Sequence, residues 1–302
     1  MKRFAEKGMG WLPDHTDIRD LTAQSSNVKE LLTEAGVDQS TIESNESSTM
    51  NDDIPLSVDL RRWCSPIEDQ GPLGSCTSHV GVALVEYFER KASGKHTDAS
   101  RLFLYKVSRN LAHIEGDSGS QIRTTMAALR LFGVPPEEYW QYIISDYDKE
   151  PPAFCYAFAQ NYQSISYFRL DRHNISSEEL LCSIKGYLAS GFPSIFGFTA
   201  YSCIDDDDVK KTGRIPYPST SDVVLGGHSL MAVGYDDSIE IRNIKSETSF
   251  KGAFLIRNSW GTSWGDLGYG WLPYEYLNQG IALDWWTVIK QEWADTGHFG
   301  LL

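Results

Sequence analysis

The chain has 302 residues, 41% of them hydrophobic and 23% charged, enough to bury a core over one large or two medium domains without disulfide staples. Acidic residues outnumber basic ones 41 to 27, and the net charge of −14 argues against a phosphate-backbone partner, which would require a basic stripe. No stretch reaches the roughly 18 apolar residues of a membrane span, and Met1–Gly8 has charges without an apolar run behind them, so the default expectation is a cytoplasmic protein without a cleaved signal, non-classical export being the alternative.

Residues 1–53 differ in character from the rest. Gly10-Trp11-Leu12-Pro13-Asp14 reads as an extended aromatic stretch. A short helix is expected after it, with Asn27 as N-cap, Glu30 three residues on and Gly36 as stop. Asp38 to Asp53 then holds five acidic residues, no basic one, and much Ser, Thr and Asn, which is a linker composition. This whole segment is expected to be a propeptide-like lid on its linker, with a strap packed elsewhere for stability as the competing reading.

Residues 54–164 read as mainly helical. From Cys76 to Ala92, Val80, Ala83, Leu84, Tyr87 and Phe88 recur at helical spacing and Gly94 ends the run. Thr124–Phe132 is a second helix, stopped by Gly133 and Pro135. From 165 the pattern turns to strands over 166–170, 194–198, 230–233 and 254–256, interrupted by a helix over Ser177–Ala189. A helical half before a β half predicts an α+β molecule of two lobes with a cleft between them, the lobes being 54–164 and 165–302.

The five cysteines form no C-x-x-C pair, which speaks against structural zinc; most are expected reduced and buried. Cys76 is the exception. Gln70-Gly71-Pro72-Leu73-Gly74-Ser75 makes a tight loop that delivers it to the first turn of a helix, with Ser75 as a plausible N-cap. There the helix dipole and unpaired N–H groups favour a thiolate, the form a nucleophile needs. By itself this pattern more often marks a buried spacer. His228 opens a strand after Gly226-Gly227, and Asn258 ends another before Ser259-Trp260-Gly261. The Asn258 amide oxygen is placed to accept the imidazole N–H and fix its tautomer without adding charge, and Trp260 to shield that bond from water. His79 is a rival base on the Cys76 helix, for which packing is the stronger reading. Asp205–Asp208 reads as a solvated acidic loop, since no spaced calcium ligands follow.

Together the Gln70–Cys76 loop, Gly227-His228, and Asn258-Ser259-Trp260-Gly261-Thr262-Ser263-Trp264-Gly265 resemble the papain-like cysteine peptidases, in the style of their xylellain-like bacterial branch. His228 follows Cys76 by 152 residues and Asn258 follows by 30 more, close to the intervals of that family. The resemblance spans about 54–290 and implies a two-lobe fold with an α lobe and a barrel-like antiparallel β lobe. It also implies a thiol peptidase with no cofactor or metal and peptide or protein substrates. In that reading Cys76, His228 and Asn258 are catalytic, Gln70 donates to the oxyanion hole, and Gly119, Ser120, Gln121, Ile122, Gly227 and Trp260 line the substrate site. The sequence departs from the family pattern at Leu73, where a disulfide cysteine is usual, at Thr77 and at Ser120. Two other classes remain in view: a transglutaminase-like acyl transferase, against which Asn258 and Gln70 speak, and a non-catalytic module, against which the complete triad speaks.

Overall fold

A computed structural model describes residues 7–37, 54–160 and 165–290. The 38–53 linker expected from composition lies outside the described residues. The first half is helical. Helix α1 spans Ser26–Glu34, α2 Cys76–Ser93, α3 Arg101–Ala112, α4 Ile122–Phe132 and α5 Ala153–Ala159. The helix α2 is amphipathic in sequence yet buried along most of its length, from Cys76 to Glu89, because α3 and α4 cover one side and the sheet the other. Gly94 ends it in the left-handed region at φ 76°, a conformation open to glycine at little cost. In α1 the boundary residue is Ser25 and not Asn27, which falls inside the first turn. The Ser25 hydroxyl is engaged by the Thr22 N–H at 3.0 Å, a tight turn that sets the helix start two residues earlier.

The second half supplies one antiparallel sheet. Strands β2 (Ile165–Arg169), β3 (Ser194–Tyr201), β4 (Val224–Arg242), β5 (Ser249–Arg257), β6 (Tyr269–Pro273) and β7 (Ala282–Lys290) lie in the order β2-β7-β3-β4-β5-β6. Helix α6 (Ser177–Ala189) starts at a capping box between Ser176 and Glu179, as sequences of this kind are built to do. A short strand β1 (Ser57–Asp59), from the helical half of the sequence, pairs with β4 and ties the two halves together. The architecture is α+β in two lobes, helices against a curved antiparallel sheet. The core stacks Trp285 flat on Phe196 at 4.0 Å, with Phe254 against Trp285, while Trp286 packs on Tyr167. All five cysteines are unpaired; Cys64, Cys76, Cys155 and Cys203 are buried and Cys182 is half-buried.

Candidate active site

The α2 helix and the β4 strand meet at the cleft. Cys76 is the first residue of α2 and is wholly buried. Ser75 holds the N-cap position, but its hydroxyl is turned away to Tyr142 Oη at 2.6 Å and caps nothing. The N–H groups of Cys76 and Thr77 are therefore left for the sulfur, while those of Ser78 and His79 donate to the Ser75 carbonyl at 3.1 Å. Burial pushes the Cys76 thiol up to about 11, against the pull of N–H groups from Ser229, Gly10, Thr77 and Cys76 itself. Ser229 is the residue after His228, so the sulfur sits against the strand that carries the histidine.

On β4, His228 is fully buried and its Nε2 lies 2.9 Å from Asn258 Oδ1. The same oxygen accepts the Ser259 N–H at 2.8 Å, which fixes the amide orientation of Asn258. An oxygen at that position requires a hydrogen on Nε2, so His228 Nε2 donates and Nδ1 carries the lone pair. Nδ1 has no partner of its own. Trp260 lies over the imidazole, stacked at 4.7 Å and 28°, and Phe198 meets it edge-on at 6.0 Å. Burial in this apolar cage lowers the imidazole to about 4 although Asn258 pulls the other way. Thiol and imidazole are thus both neutral in this closed form.

Gln70 is buried beside them. Its Oε1 accepts the Ser259 hydroxyl at 2.6 Å, and its Nε2 donates to the carbonyls of Leu73 at 2.8 Å and Gly8 at 2.9 Å. The loop before the nucleophile and the loop after Asn258 are in this way clamped to each other. His79 faces away: its Nδ1 bonds the Ser75 carbonyl at 3.0 Å, Tyr142 packs on its edge, and burial takes it down to about 3. The acidic run Asp205–Asp208 is not the loop expected: a 3-10 turn ends at Asp205 and Asp207 and Asp208 open a short helix, Asp207–Thr212, where negative charge suits the N-terminal end, while Asp205 and Asp206 pair with Lys210 and Lys245.

Residues 7–12 lie across this cleft. The Gly8 N–H donates to the Gly71 carbonyl at 2.9 Å, and the Trp11 N–H to the Gly227 carbonyl at 3.0 Å. Ser120 brackets the segment, its N–H donating to the Gly10 carbonyl at 2.8 Å and its carbonyl accepting the Leu12 N–H at 3.1 Å, a parallel bridge. Gly119 allows this approach: a side-chain carbon there would fall 2.2 Å from the Gly10 carbonyl oxygen. Of the other expected lining residues, Gln121 precedes α4 and Ile122 is fully buried in its first turn, while Trp260 contacts the imidazole. Sequence reasoning missed Gly197 and Asp284, which hold the Trp11 indole. The signal for Asp284 was an acid inside the apolar run Leu283-Asp284-Trp285-Trp286. Beyond the cleft the segment is pinned by Asp14 and Asp20 on Arg123.

A buried thiol at a helix start, an imidazole held by an asparagine and a glutamine amide define a cysteine peptidase of the papain type. The family model described as papain family cysteine protease matches residues 54–284, and the chain belongs to that family. It is a thiol protease, a hydrolase, as the resemblance of its motifs implied. An uncharacterized peptidase C1-like protein of Acanthamoeba polyphaga mimivirus is 34% identical over 240 residues, covering 78% of this chain and 73% of that one. The crystal structure of xylellain, a cysteine protease from Xylella fastidiosa, superposes with a TM-score of 0.73 at 32% identity over 96% of this chain and 98% of that one. Digestive procathepsin L 3 of the Tenebrio molitor larval midgut shares the fold, with a TM-score of 0.58 at 17% identity over 86% and 78%.

Proposed function

We propose that the chain hydrolyses peptide bonds through a thioester on Cys76, with His228 as acid and base, Asn258 as its orienter and Gln70 in the oxyanion hole. The observation that carries this is the 2.9 Å contact of His228 Nε2 with an Asn258 oxygen whose orientation the Ser259 N–H fixes. It leaves Nδ1 as the nitrogen free to take the Cys76 proton. The thiolate then adds to the substrate carbonyl, and the developing oxyanion accepts from Gln70 Nε2 and the Cys76 N–H. His228 Nδ1–H protonates the leaving amine, the C–N bond breaks, and the acyl group stays on sulfur. A water gives its proton to Nδ1 and attacks the thioester; the acid leaves and the thiol is restored. Asn258 keeps the ring aligned without adding a negative charge. Substrate backbone would pair with Ser120 and the Gly227 carbonyl, the groups the N-terminal segment now engages.

The same contacts support reading the N-terminal segment as an intramolecular inhibitor. The Gly8 carbonyl already uses the Gln70 donor, and the Gly10 N–H lies at the sulfur. The test is fluorophore release from a dipeptidyl amide panel under reducing conditions, comparing wild type, Cys76→Ala, and a chain lacking residues 1–53. Activity lost with Cys76→Ala and raised by the deletion is expected. Activity that survives Cys76→Ala overturns the mechanism, and unchanged turnover in the folded truncated chain overturns the inhibitor reading.

A further inference from the structure

Two loops meet beside the nucleophile. Residues 70–75 lead into Cys76, and residues 116–120 lie between α3 and α4. Asp117 joins them. Its Oδ1 accepts the N–H of Gly74, two residues before Cys76, at 2.9 Å, and the same oxygen accepts the Tyr105 hydroxyl at 2.6 Å. Tyr105 Oη accepts the Gly119 N–H in turn, at 3.2 Å. The next residue is Ser120, whose N–H and carbonyl pair with Gly10 and Leu12. One chain of hydrogen bonds therefore runs from the loop that carries the sulfur to the edge on which an extended segment pairs. The loops also pack closely: a side-chain carbon at Gly74 would fall 3.2 Å from Asp117 Oδ1 and 3.4 Å from the Gly119 nitrogen. Tyr105 is fixed from behind. It is wholly buried on α3, with the Arg109 guanidinium over its ring at 4.3 Å, and Arg109 donates to the Gly116 carbonyl at the start of the second loop.

We propose that Asp117, acting through Tyr105 and Gly74, is a positioning residue for the reaction: it sets the register between the Ser120 edge and Cys76, so that a peptide paired on that edge presents its carbonyl to the sulfur. What pairs there rests on the peptidase reading above; the bridge itself does not. A substrate held by its backbone is aligned only as well as the edge that holds it, and rate falls steeply with misplacement. Both loops are rich in glycine, Gly71 and Gly74 in one and Gly116 and Gly119 in the other, and such backbone regains the most freedom when a contact is lost. No covalent bond reinforces them, because every cysteine is unpaired. A carboxylate oxygen can accept two donors at once, and Asp117 takes one from each side. Because both fall on one oxygen, asparagine can accept the same pair. The role is therefore geometric and does not depend on the negative charge.

The full chain is compared with Asp117→Ala, Asp117→Asn and Tyr105→Phe in two reactions of the Cys76 thiol, with Cys76→Ala as the blank. One is turnover of a blocked dipeptidyl amide, whose backbone would pair on Ser120; the other is hydrolysis of p-nitrophenyl acetate, which has no backbone to pair. The N-terminal segment obstructs both, so its hold drops out of the ratio of the two kcat/KM values. Asp117→Ala should lower the amide-to-acetate ratio about 10- to 100-fold, since a misplacement of about 1 Å can cost on the order of 10² in rate. Tyr105→Phe keeps the packed volume, removes the phenol from the bridge, and should lower the ratio roughly tenfold. Asp117→Asn should hold it within about threefold, because a neutral acceptor is weaker but has the same shape. A ratio that Asp117→Ala or Tyr105→Phe leaves unmoved, even with a lower Tm, marks a merely structural role and overturns the assignment; so does an asparagine variant that falls as far as alanine. If the alanine variant does not fold, the other two decide. Hydrogen–deuterium exchange of residues 70–76 and 116–121 reads the bridge without turnover. It should quicken in both loops with Asp117→Ala and in neither with Asp117→Asn, and quickening in one loop alone overturns the bridge. Exchange that behaves as expected in a chain with no Cys76-dependent activity upholds the bridge and fails the peptidase mechanism instead.

Discussion

Gln70 Nε2 donates to the carbonyl of Gly8 at 2.9 Å, so the side chain proposed to stabilise a substrate oxyanion already serves the protein's own N-terminal segment. On the proposed reading, a substrate displaces that segment before its carbonyl reaches the donor. If the closed form holds about 90–99% of the molecules, access is reduced about 10- to 100-fold. Trp11→Ala or removal of residues 1–53 should raise kcat/KM by that order, measured with one fluorogenic amide on folded protein.

The donor itself can be tested once the segment is gone. Gln70→Ala in the truncated chain should lower kcat by on the order of 10²–10³, the usual cost of one oxyanion-hole donor. Gln70 also accepts the Ser259 hydroxyl, so a thermal melt must accompany the kinetics to separate lost catalysis from a loosened loop.

Asn258→Ala removes the acceptor for His228 Nε2–H and frees the ring to change tautomer. A fall in kcat/KM of about 10- to 100-fold is expected, the worth of one buried hydrogen bond. Asn258→Asp keeps the acceptor and adds a charge that favours imidazolium. Its pH–rate profile should shift the acidic limb upward, whereas a purely structural role would leave the limb in place.

Burial holds the Cys76 thiol near 11 and His228 near 4, so between those values the closed form is a neutral pair. Alkylation of Cys76 by iodoacetamide at pH 7 should be slow in the full chain and climb steadily with pH. Without residues 1–53 water returns, the desolvation that raised the thiol shrinks, and the reaction at pH 7 should speed up at least tenfold. Mass spectrometry of the labelled peptide follows both. Equal rates in the two proteins would refute the view that the segment sets the thiol's state.

Glu86, in the middle of α2, is raised to about 7 by burial, against the Ser65 and Ala99 hydrogen bonds and the Arg101 and Arg257 charges. The folded protein then holds this proton more tightly than the unfolded chain. Its contribution to stability is fully present below the ordinary glutamate value and is lost as pH rises from there through about 7. Glu86→Gln should leave Tm nearly unchanged at pH 4.5 and raise it at pH 8. A Tm difference that does not grow with pH would contradict this assignment.

The residues proposed for the chemistry were legible because each carries a local signature: Cys76 after a glycine-rich loop, His228 after two glycines, Asn258 at a strand exit; but His228 does not open its strand as expected, since β4 already begins at Val224 and pairs through Gly226 and Gly227 with β3. Helix α6 was equally legible, since its capping box and apolar spacing agree with each other. Helix α3 was not, because Leu102-Phe103-Leu104-Tyr105 is buried on every side and a continuous apolar run has no period to read. The register of the α1 start was misread because Ser25 is fixed by a turn before the helix, a contact that helix-start rules do not weigh.

By itself the amino-acid sequence determined the α+β class, the order of nucleophile, histidine and asparagine, and an N-terminal segment unlike the rest. These follow from local periodicity, turn residues and caps, which act over a few positions. Only the tertiary structure decided where that segment goes. Trp11 finds Asp284 across 273 residues, and β1 crosses to β4, through hydrogen bonds and shape that no window of sequence contains. It also decided the state of the thiol: the helix start favours an anion, but enclosure by Gly10 and β4 removes water, and desolvation outweighs the local dipole.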